Sequence, residues 1–296
     1  MTTGAPAPSP AVGDCLRGRF DLEEVIGEGG TSTVYRAVDR IHRQARDETS
    51  EVAVKVLKPV SPDHQDLIAL LHREGRRLRD LVHPNIVRVY DSDFDGAHHY
   101  LVMELLRGRT LAQVLAQRNG RPLPALQAMG LVRALASGLG HAHRHGVTHG
   151  DLKPGNVFLT DAGDTKILDF GTALPLDPAF RPNLDEATEH MVDRVGAVTP
   201  AYASLEMLAG EPRTEADDVF SLAIIAYMVA TGQHPYQRRA ADEALRESLV
   251  PARPVGLSRR RWNALLSGLA LRRQDRIDSI EDFADRFAKI GVFDSY

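Results

Sequence analysis

The chain has 296 residues, which suffices for one large domain or for two lobes that share a cleft. Its apolar share of 43% and its charged share of 26% are ordinary for globular proteins and exclude a wholly disordered chain. A formal net charge of −4 provides no basic surface, so we expect no nucleic-acid partner, and the lone Cys15 excludes an intrachain disulfide.

The hydropathy pattern predicts no membrane contact from residues 1–296. The longest apolar run, Leu222 to Ala230, is shorter than the roughly 18 residues that a spanning helix needs, and we interpret it as a buried helix. The beginning, Met1-Thr-Thr-Gly4, lacks the basic and apolar regions of a signal peptide. We therefore expect a cytoplasmic location, which a single cysteine suits, while an anchor or further domain beyond residue 296 stays open.

The first third of the chain has the alternation that is typical of strands. Residues 1–17 are expected to form a disordered tail, since their small and proline side chains bury too little surface to offset the entropy of ordering. The charged segment from Asp39 to Glu51 is predicted to be a solvated loop. Strands are predicted at 20–26, 33–38, 52–57, 86–90 and 99–103, and leucine spacing predicts a helix over 64–81.

The remainder of the chain is predicted to be helical. Thr110 is expected to cap a short helix that ends near residue 117. A long helix is predicted over 125–145, although each of its interior glycines weakens a helix by about 1 kcal/mol relative to alanine. Its expected apolar face consists of Leu126, Met129, Val132, Leu139 and His143. Further helices are predicted over 216–231, 240–249, 258–271 and 279–290.

Two features of the strand-rich part can bind a polyphosphate. The turn Gly27-Glu-Gly-Gly-Thr-Ser-Thr-Val34 fits G-x-G-x-x-S-x-V, in which glycines let backbone N–H groups approach phosphates, although glycine-rich hairpin turns are common. Lys55 ends the apolar run Val52-Ala-Val-Lys55 and needs an anionic partner if it is buried. Glu74 in the following helical segment is the candidate, and the alternative is a lysine that points to solvent at a strand edge.

The loop His149-Gly-Asp-Leu-Lys-Pro-Gly-Asn156 gathers a carboxylate, an ammonium and an amide after the long helix. Its Asp151 can take a hydroxyl proton, Lys153 can neutralise a phosphate, and Asn156 can hold a divalent cation. A second carboxylate, in Asp169-Phe-Gly171, follows a short apolar strand and is predicted to bind the same Mg²⁺. Phosphoryl transfer asks for this combination of positioning and charge stabilisation.

In their order along the chain, these motifs resemble those of eukaryotic-like (Hanks-type) serine/threonine protein kinase catalytic domains, of the kind found in bacteria. The resemblance covers roughly residues 19–290. Its further motifs are His83-Pro-Asn-Ile-Val87, Met103-Glu-Leu-Leu106, Thr199-Pro-Ala-Tyr-Ala-Ser-Leu-Glu206, Asp218-Val-Phe-Ser-Leu222, Gly232-Gln-His-Pro-Tyr236 and Arg276. It implies an α+β, bilobal kinase fold with a small β-rich N-lobe, a larger α-helical C-lobe and the ATP cleft between them. The kinase domain is expected over 18–293, with the N-lobe at 18–105, the hinge at 104–108 and the C-lobe at 109–293.

The resemblance also implies roles for individual residues. Lys55 pairs with Glu74 and holds ATP phosphates, Asp151 orients the substrate hydroxyl, and Lys153 meets the γ-phosphate. The metal ligands for Mg²⁺, with Mn²⁺ as an alternative, are Asn156 and Asp169. The other nucleotide-binding residues are Gly27, Glu28, Gly29, Gly30, Ser32, Val34, Ala53, Met103, Glu104, Leu106 and Phe158. The activation segment contains Thr172, Thr188, Thr199 and Glu206, and the structural residues are His149, Phe170, Asp218 and Arg276.

The implied function is transfer of the γ-phosphate of ATP to serine and threonine hydroxyls of protein substrates, with autophosphorylation; a homodimer is left open. Two positions depart from the family's pattern. Gly150 replaces an arginine that in many kinases binds a phosphate on the activation segment, so we expect activity not to depend on that phosphate. Ser204-Leu-Glu206 replaces Ala-Pro-Glu and keeps the acid but not the proline.

Other functions share some of these motifs. A small-molecule (aminoglycoside-like) phosphotransferase shares the fold core and resembles His149-Gly-Asp-Leu152, but Lys153-Pro154, Phe170 and the segment 199–206 argue against it. A catalytically silent scaffold would be indicated by the loss of a catalytic residue, but Lys55, Glu74, Asp151, Asn156 and Asp169 are all present. A transition-metal site would need a cysteine or acid to complete the set His141, His143, His145 and His149.

Overall fold

The computed structural model describes residues 9–30, 32–45, 50–58, 75, 78–170 and 199–288. The chain forms two compact units, Met1–Val82 with Val87–Arg107 and His83–Ile86 with Gly108–Tyr296. Within the described residues, the first unit consists mainly of strands and the second mainly of helices. The predicted α+β, bilobal class is therefore confirmed.

The first unit is built on an antiparallel sheet. Its strands are β1 (Cys15–Leu16), β2 (Phe20–Glu28), β3 (Ser32–Asp39), β4 (Glu51–Leu57), β5 (Val89–Asp95) and β6 (His98–Glu104). They are arranged in the order β1-β2-β3-β4-β6-β5. Alternate side chains of a strand point to opposite faces, and one face carries a buried cluster that includes Tyr35, Val54 and Tyr100. The strands predicted at 20–26, 33–38, 52–57 and 99–103 are confirmed. The strand predicted at 86–90 is wrong in its first three residues, because Ile86 forms an isolated bridge with Ile167 and β5 begins only at Val89.

The N-terminal segment differs from the expected tail. Residues 9–16 lie against the sheet: the Tyr35 hydroxyl donates to the Pro10 carbonyl at 2.6 Å, and the Gly13 N–H donates to the Leu22 carbonyl at 2.8 Å. Leu16 is buried in the same cluster. The assignment of residues 1–17 to a disordered tail is wrong for this part, because the outer edge of β2 offers backbone groups that the preceding residues can pair with.

A short helix, α1 (Arg40–Gln44), replaces the beginning of the predicted loop over 39–51. The cause is Asp39, whose side chain accepts a hydrogen bond from the Ile41 N–H at 2.9 Å and so caps the helix. The same carboxylate binds the Arg19 guanidinium at 2.6 Å. The many charges of this segment suggested a solvated loop, but one of them provides a capping carboxylate.

The second unit combines a small sheet with a helical body. Its antiparallel strands are β7 (Gly108–Thr110), β8 (Val157–Thr160) and β9 (Thr165–Ile167). Its helices are α2 (Leu111–Gln117), α3 (Ala125–Arg144), α4 (Leu205–Leu208), α5 (Glu215–Thr231), α6 (Ala241–Arg246), α7 (Arg259–Gly268) and α8 (Ile280–Ala288). Short 3-10 helices occur at Pro154–Asn156, Pro200–Tyr202 and Arg273–Asp275. Thr110 caps α2 as predicted.

Helix α5 is the most deeply buried element of the second unit. Every residue from Ala216 to Val229 is buried, which confirms the interpretation of the apolar run as a core helix. Among the described residues, no helix is both long and apolar enough to cross a bilayer.

The interior glycines of helix α3 differ in how closely they are packed. A Cβ on Gly138 would lie 2.9 Å from the Ile167 methyl and 3.2 Å from the Asn85 carbonyl oxygen, so the glycine permits close approach of β9. Gly130 has open space around it. The predicted apolar face of α3 is wrong at Leu126, which is 72% exposed because it lies in the first turn, ahead of the residues that face the core.

These surroundings predict opposite effects for two glycine-to-alanine changes in α3. Gly130→Ala should stabilise the protein by about 0.5–1 kcal/mol, because alanine loses less backbone entropy in a helix. Gly138→Ala should destabilise it by about 1–3 kcal/mol, because the new methyl overpacks the contact with β9. Urea unfolding of the two variants tests this, and equal stabilisation by both would contradict the packing argument.

Candidate active site

A buried carboxylate positions the loop that follows α3. Asp218, in the first turn of α5, accepts the His149 N–H at 2.8 Å and the Gly150 N–H at 3.0 Å. Gly150 has φ 76, in the left-handed region that is strained for a residue with a Cβ. The arginine usual at this position is thus replaced by the residue type that adopts this backbone at the lowest energy.

The same carboxylate is paired with His143 of α3, whose Nε2 lies 2.7 Å from Oδ2. Burial alone would lower the pKa of His143, but the hydrogen bond and charge of Asp218 outweigh it and raise the pKa. Burial would likewise raise the pKa of Asp218, yet the hydrogen bond and charge of His143 hold that pKa below its ordinary value. The pair is therefore most stable as an imidazolium and a carboxylate, which keeps both acceptor oxygens available to the loop.

His149 connects the loop to the segment after β9. Its Nε2 lies 3.0 Å from the Leu168 carbonyl and therefore donates, while its Nδ1 accepts the Asp151 N–H at 3.2 Å. The ring of Phe170, which is fully buried, lies 4.7 Å from the imidazole. Between these contacts Asp169 is exposed and has φ 58, so the backbone turns at this residue and leaves its carboxylate accessible.

Four predicted site residues meet at the loop: Asp151, Lys153, Asn156 and Thr199. The Lys153 ammonium lies 2.5 Å from an Asp151 carboxylate oxygen and donates to the Thr199 hydroxyl at 2.7 Å. The other Asp151 oxygen accepts the Thr199 N–H at 3.0 Å. Asn156 uses its amide nitrogen to donate to the Asp151 carbonyl at 2.9 Å. A carboxylate, an ammonium and an amide are thus held in one place, although Thr199 lies far from the other three in the sequence.

A second charged network joins the end of the activation segment to the residues before α8. The Glu206 carboxylate accepts from the Arg276 guanidinium at 3.0 Å and from the Arg273 N–H at 2.8 Å. Burial would raise the pKa of Glu206, but the charge of Arg276 and the Arg273 N–H outweigh it and lower the pKa. Arg276 also donates to three backbone carbonyls, those of Ala216, Ala270 and Leu271.

Several members of this network had not been expected from the sequence. Asp217 is fully buried and accepts the Ser204 hydroxyl at 2.6 Å and the Arg273 guanidinium at 3.3 Å. Ser204 also caps α4 by accepting the Met207 N–H. Asp217 had a local signal, since it stands in the first turn of a predicted helix, but that position is typical of a solvated capping residue. Nothing local to Ser204 or Arg273 indicated a buried partner.

In the first unit, the predicted nucleotide-binding side chains share one face of the sheet. Val34 on β3 is paired with Lys55 on β4, and Ala53 is paired with Met103 on β6. Directly paired residues lie on the same face, and this face is opposite to the one with the buried cluster. Lys55 is partly buried.

The glycine-rich turn connects β2 to β3. Gly27 and Glu28 still pair with β3, and the Gly29 N–H then donates to the Ser32 carbonyl at 2.9 Å. Gly30 lies in the turn itself. The Glu28 carboxylate binds Lys58 at 3.0 Å on the surface.

Three other predicted nucleotide-binding residues also lie within the described chain. Glu104 donates its N–H to the Arg88 carbonyl at 2.9 Å, and its side chain accepts the Arg88 N–H. Leu106 follows β6, and Phe158 is on β8 in the second unit; both are partly exposed.

Some predicted residues lie outside the described part of the chain: Glu74, Gly171, Thr172 and Thr188. The four histidines that could have formed a transition-metal site have other contacts. His143 and His149 are engaged as described above, and the ring of His141 contacts that of His145 at a tilt of 40°, with centroids 4.4 Å apart. Among the described residues, no group of three or more His, Cys, Asp or Glu side chains is placed to hold a metal ion.

Most of the chain is similar to known proteins of one family. A family model described as the protein kinase domain matches residues 20–274. The fold is similar to the crystal structure of the Mycobacterium tuberculosis PknI kinase domain, with a TM-score of 0.69. That alignment covers 94% of this chain and 98% of the other at 24% identity, so it shows the fold alone.

Curated relatives at higher identity come from bacteria. The serine/threonine-protein kinase PrkC of Bacillus subtilis is 31% identical over 85% of this chain and 36% of its own length. PknA of M. tuberculosis is 36% identical over 80% of this chain and 52% of its own length. PkaA of Streptomyces coelicolor is 35% identical over 87% and 47%, respectively. The chain thus spans between a third and about half of the length of these relatives.

The Glu206–Arg276 pair predicts a pH-dependent loss of stability. At neutral pH, Glu206→Gln should destabilise the protein by about 1.5–3 kcal/mol, because the buried Arg276 guanidinium then loses its hydrogen-bonded carboxylate and keeps only that of Asp217, 3.7 Å away. Glu206 has a lowered pKa in the folded state, so its contribution is present above about pH 4.3, the ordinary value for glutamate, and is lost as the pH falls through the lowered value. The difference in unfolding free energy between wild type and variant should therefore shrink below about pH 4.3.

Urea unfolding at several pH values measures that difference. Glu211→Gln is the matched control, because Glu211 is 52% exposed and lies 3.5 Å from Arg273, and it should change stability by less than about 1 kcal/mol. A Glu206→Gln variant as stable as this control at neutral pH would contradict the expectation.

Proposed function

Since this chain belongs to the protein kinase family, we propose that it is a serine/threonine protein kinase that transfers the γ-phosphate of ATP to protein hydroxyls. The observation that supports this best is the contact of Lys153 with both Asp151 and Thr199. A lysine two positions after the loop aspartate, joined to a threonine of the activation segment, resembles the serine/threonine class. Autophosphorylation is part of the proposal, and a homodimer is left open.

The chemistry assigned to the loop follows from its charges. Asp151 is the group that orients the acceptor hydroxyl and takes its proton as the phosphoryl group is transferred. Lys153 neutralises charge that develops on the phosphoryl oxygens, and it holds Asp151 and Thr199 at hydrogen-bond distance before substrate arrives. Because Asp218 holds the backbone of the two residues before Asp151, little reorganisation is needed during reaction.

The nucleotide is assigned to the residues that share one face of the first unit's sheet. Lys55 binds the α- and β-phosphates with Glu74 as its proposed carboxylate partner, and the turn containing Gly27, Gly29 and Gly30 approaches the phosphates through its backbone. The adenine ring is assigned to Val34, Ala53 and Phe158. Its polar edge is assigned to backbone groups of Glu104 and Leu106, with Met103 behind it.

The oxygen ligands of Asn156 and Asp169 fit Mg²⁺, or Mn²⁺ in its place. Asn156 uses its amide nitrogen in the loop, so the amide oxygen is the atom that can serve as ligand. Mg²⁺ is usually held by one or two carboxylates together with phosphate oxygens and water, so two protein ligands suffice. When bound, the ion supplies charge neutralisation at the phosphates.

A cytoplasmic location is also proposed, and it rests on the ATP requirement and the single cysteine.

Substitution of the nucleotide- and hydroxyl-binding residues should abolish phosphoryl transfer. Lys55→Met and Asp151→Asn each remove a group that stabilises or orients charge, so the rate should fall by about 10²–10³ or more. The assay supplies labelled ATP and Mg²⁺ with myelin basic protein and, separately, a panel of amino sugars. Label on serine or threonine supports the proposal, label on a sugar supports the small-molecule phosphotransferase, and label on neither supports a silent scaffold.

Two controls accompany this assay. Asp169→Ala reports contaminating kinase activity, since it should be as inactive as Asp151→Asn. A thermal melt establishes that each variant is folded, and Mg²⁺ with ATP should raise the melting temperature of wild type by mass action. Equal labelling by wild type and both point variants would overturn the proposal.

The absence of an arginine before Asp151 predicts activity without a phosphorylated activation segment. A phosphothreonine orders that segment when a cation is placed to receive it, and Gly150 offers none. A double variant, Thr172→Ala with Thr188→Ala, should therefore keep the wild-type rate after phosphatase treatment. Thr199 stays unchanged, because its hydroxyl contacts Lys153. An inactive phosphate-free protein with intact Thr199 would refute this expectation.

A further inference from the structure

His234 occupies a partly buried position that the proposed mechanism does not use. It lies between α5 and α6, in the motif Gly232-Gln-His-Pro-Tyr236. Its Nε2 lies 2.8 Å from the Ala201 carbonyl oxygen and therefore carries the proton that it donates there. Its Nδ1 accepts two backbone N–H groups, from Tyr236 at 3.1 Å and from Arg238 at 3.0 Å. Both ring nitrogens are thus engaged, and the bonds determine the tautomer.

The backbone around His234 is shaped for these bonds. Gln237 and Arg238 both lie in the left-handed region, with φ 53 and 64, although neither is glycine. Consecutive non-glycine residues persist in this region only where surrounding contacts hold them, and such strain is frequent at functional sites. Burial lowers the pKa of His234 to about 4, so the imidazole is neutral at physiological pH and its Nδ1 stays an acceptor.

The element that His234 holds is the turn Thr199–Tyr202. The Ala201 carbonyl is bound by His234, and the Tyr202 carbonyl accepts the Ser221 hydroxyl of α5 at 2.9 Å. The Tyr202 ring meets the imidazole edge-on, with centroids 5.6 Å apart. At the start of the same turn, Thr199 contacts Asp151 and Lys153. A side chain far from the reacting groups is therefore connected to them through a single turn of backbone.

We propose that His234 is a positioning residue, which fixes the turn 199–202 so that Thr199 stays against Asp151 and Lys153 and the protein substrate is presented correctly. The proposal rests on the proposed kinase function. Loss of the bond to the Ala201 carbonyl leaves a polar group without its partner and lets the turn shift away from Asp151. The nucleotide is assigned to other residues, so its binding stays as in wild type.

Two amide variants test the hydrogen bonds of the two ring nitrogens of His234 separately. Glutamine can place an N–H where Nε2 stands and so keep the bond to Ala201, whereas asparagine reaches only the position of Nδ1. His234→Asn should lower kcat/KM for myelin basic protein by about tenfold and leave the KM for ATP unchanged. His234→Gln should recover most of that loss.

Tyr236→Phe is the matched control. It removes a buried hydroxyl of the same region that donates to the Leu269 carbonyl at 2.5 Å rather than to the Ala201 carbonyl. It should lower the melting temperature without changing kcat/KM for the protein substrate. For every variant, the melting temperature with and without Mg²⁺ and ATP reports whether the fold and nucleotide binding are retained.

The outcomes distinguish failure of the proposed kinase function from failure of the role proposed for His234. If wild type transfers no phosphate to protein, the proposed function and the role of His234 are both overturned. If wild type is active but His234→Asn and His234→Gln retain its kcat/KM, only the role of His234 is overturned. If kcat/KM falls in Tyr236→Phe as much as in His234→Asn, or if glutamine fails to restore it, His234 contributes stability alone and the positioning role is likewise rejected.

Discussion

The arrangement of the candidate site depends on one buried carboxylate. Asp218 is 1% exposed, and its two oxygens accept both the His149 and the Gly150 backbone N–H groups. A buried carboxylate is strongly unfavourable unless it is paired and hydrogen-bonded, and His143 supplies the positive partner. If the loop moved away, the buried Asp218 carboxylate would keep His143 but lose two hydrogen bonds, and this cost favours the observed position of the loop that holds Asp151.

Helix α5 is the common origin of the two charged networks. Asp217 and Asp218 are neighbours in its first turn, and consecutive helical residues point about 100° apart, so their carboxylates serve different partners. Asp218 holds the loop that contains Asp151, while Asp217 binds Ser204, just before α4, and Arg273, in the 3-10 helix before α8. Ser221, one turn later, holds the carbonyl of Tyr202. A largely buried helix thus carries the polar side chains that hold both the loop and the turn.

The two departures from the family's pattern have different structural consequences. Gly150 has a left-handed backbone that is easiest for glycine, and its N–H still binds Asp218, so the loop is held without the usual arginine. Ser204 stabilises the end of the segment without the usual proline, because its hydroxyl binds Asp217 and caps α4. Leu205 then begins α4 without a proline, while Glu206 keeps its pair with Arg276.

The sequence by itself determined what is local. Period-two alternation predicted the strands around the glycine turn, Thr110 predicted the start of α2, and the loop from His149 to Asn156 was recognisable because its charged residues are only a few positions apart. It also placed Lys55 and Ala53 two positions apart in one strand, from which their common face follows, whereas only the pairing of β3 with β4 places Val34 on that face. The pairing of Lys55 with Glu74 stays a prediction.

Only the tertiary structure decided which distant groups satisfy one another. A buried charge must have a partner, but many residues of the right type are available, and the choice depends on how helices and loops pack. The pairing of His143 with Asp218, of Asp217 with Ser204 and Arg273, and of His234 with the Ala201 carbonyl therefore had no local signal. The same reason explains why Leu126 is exposed: periodicity shows that a helix has an apolar face, and packing determines where that face begins and ends.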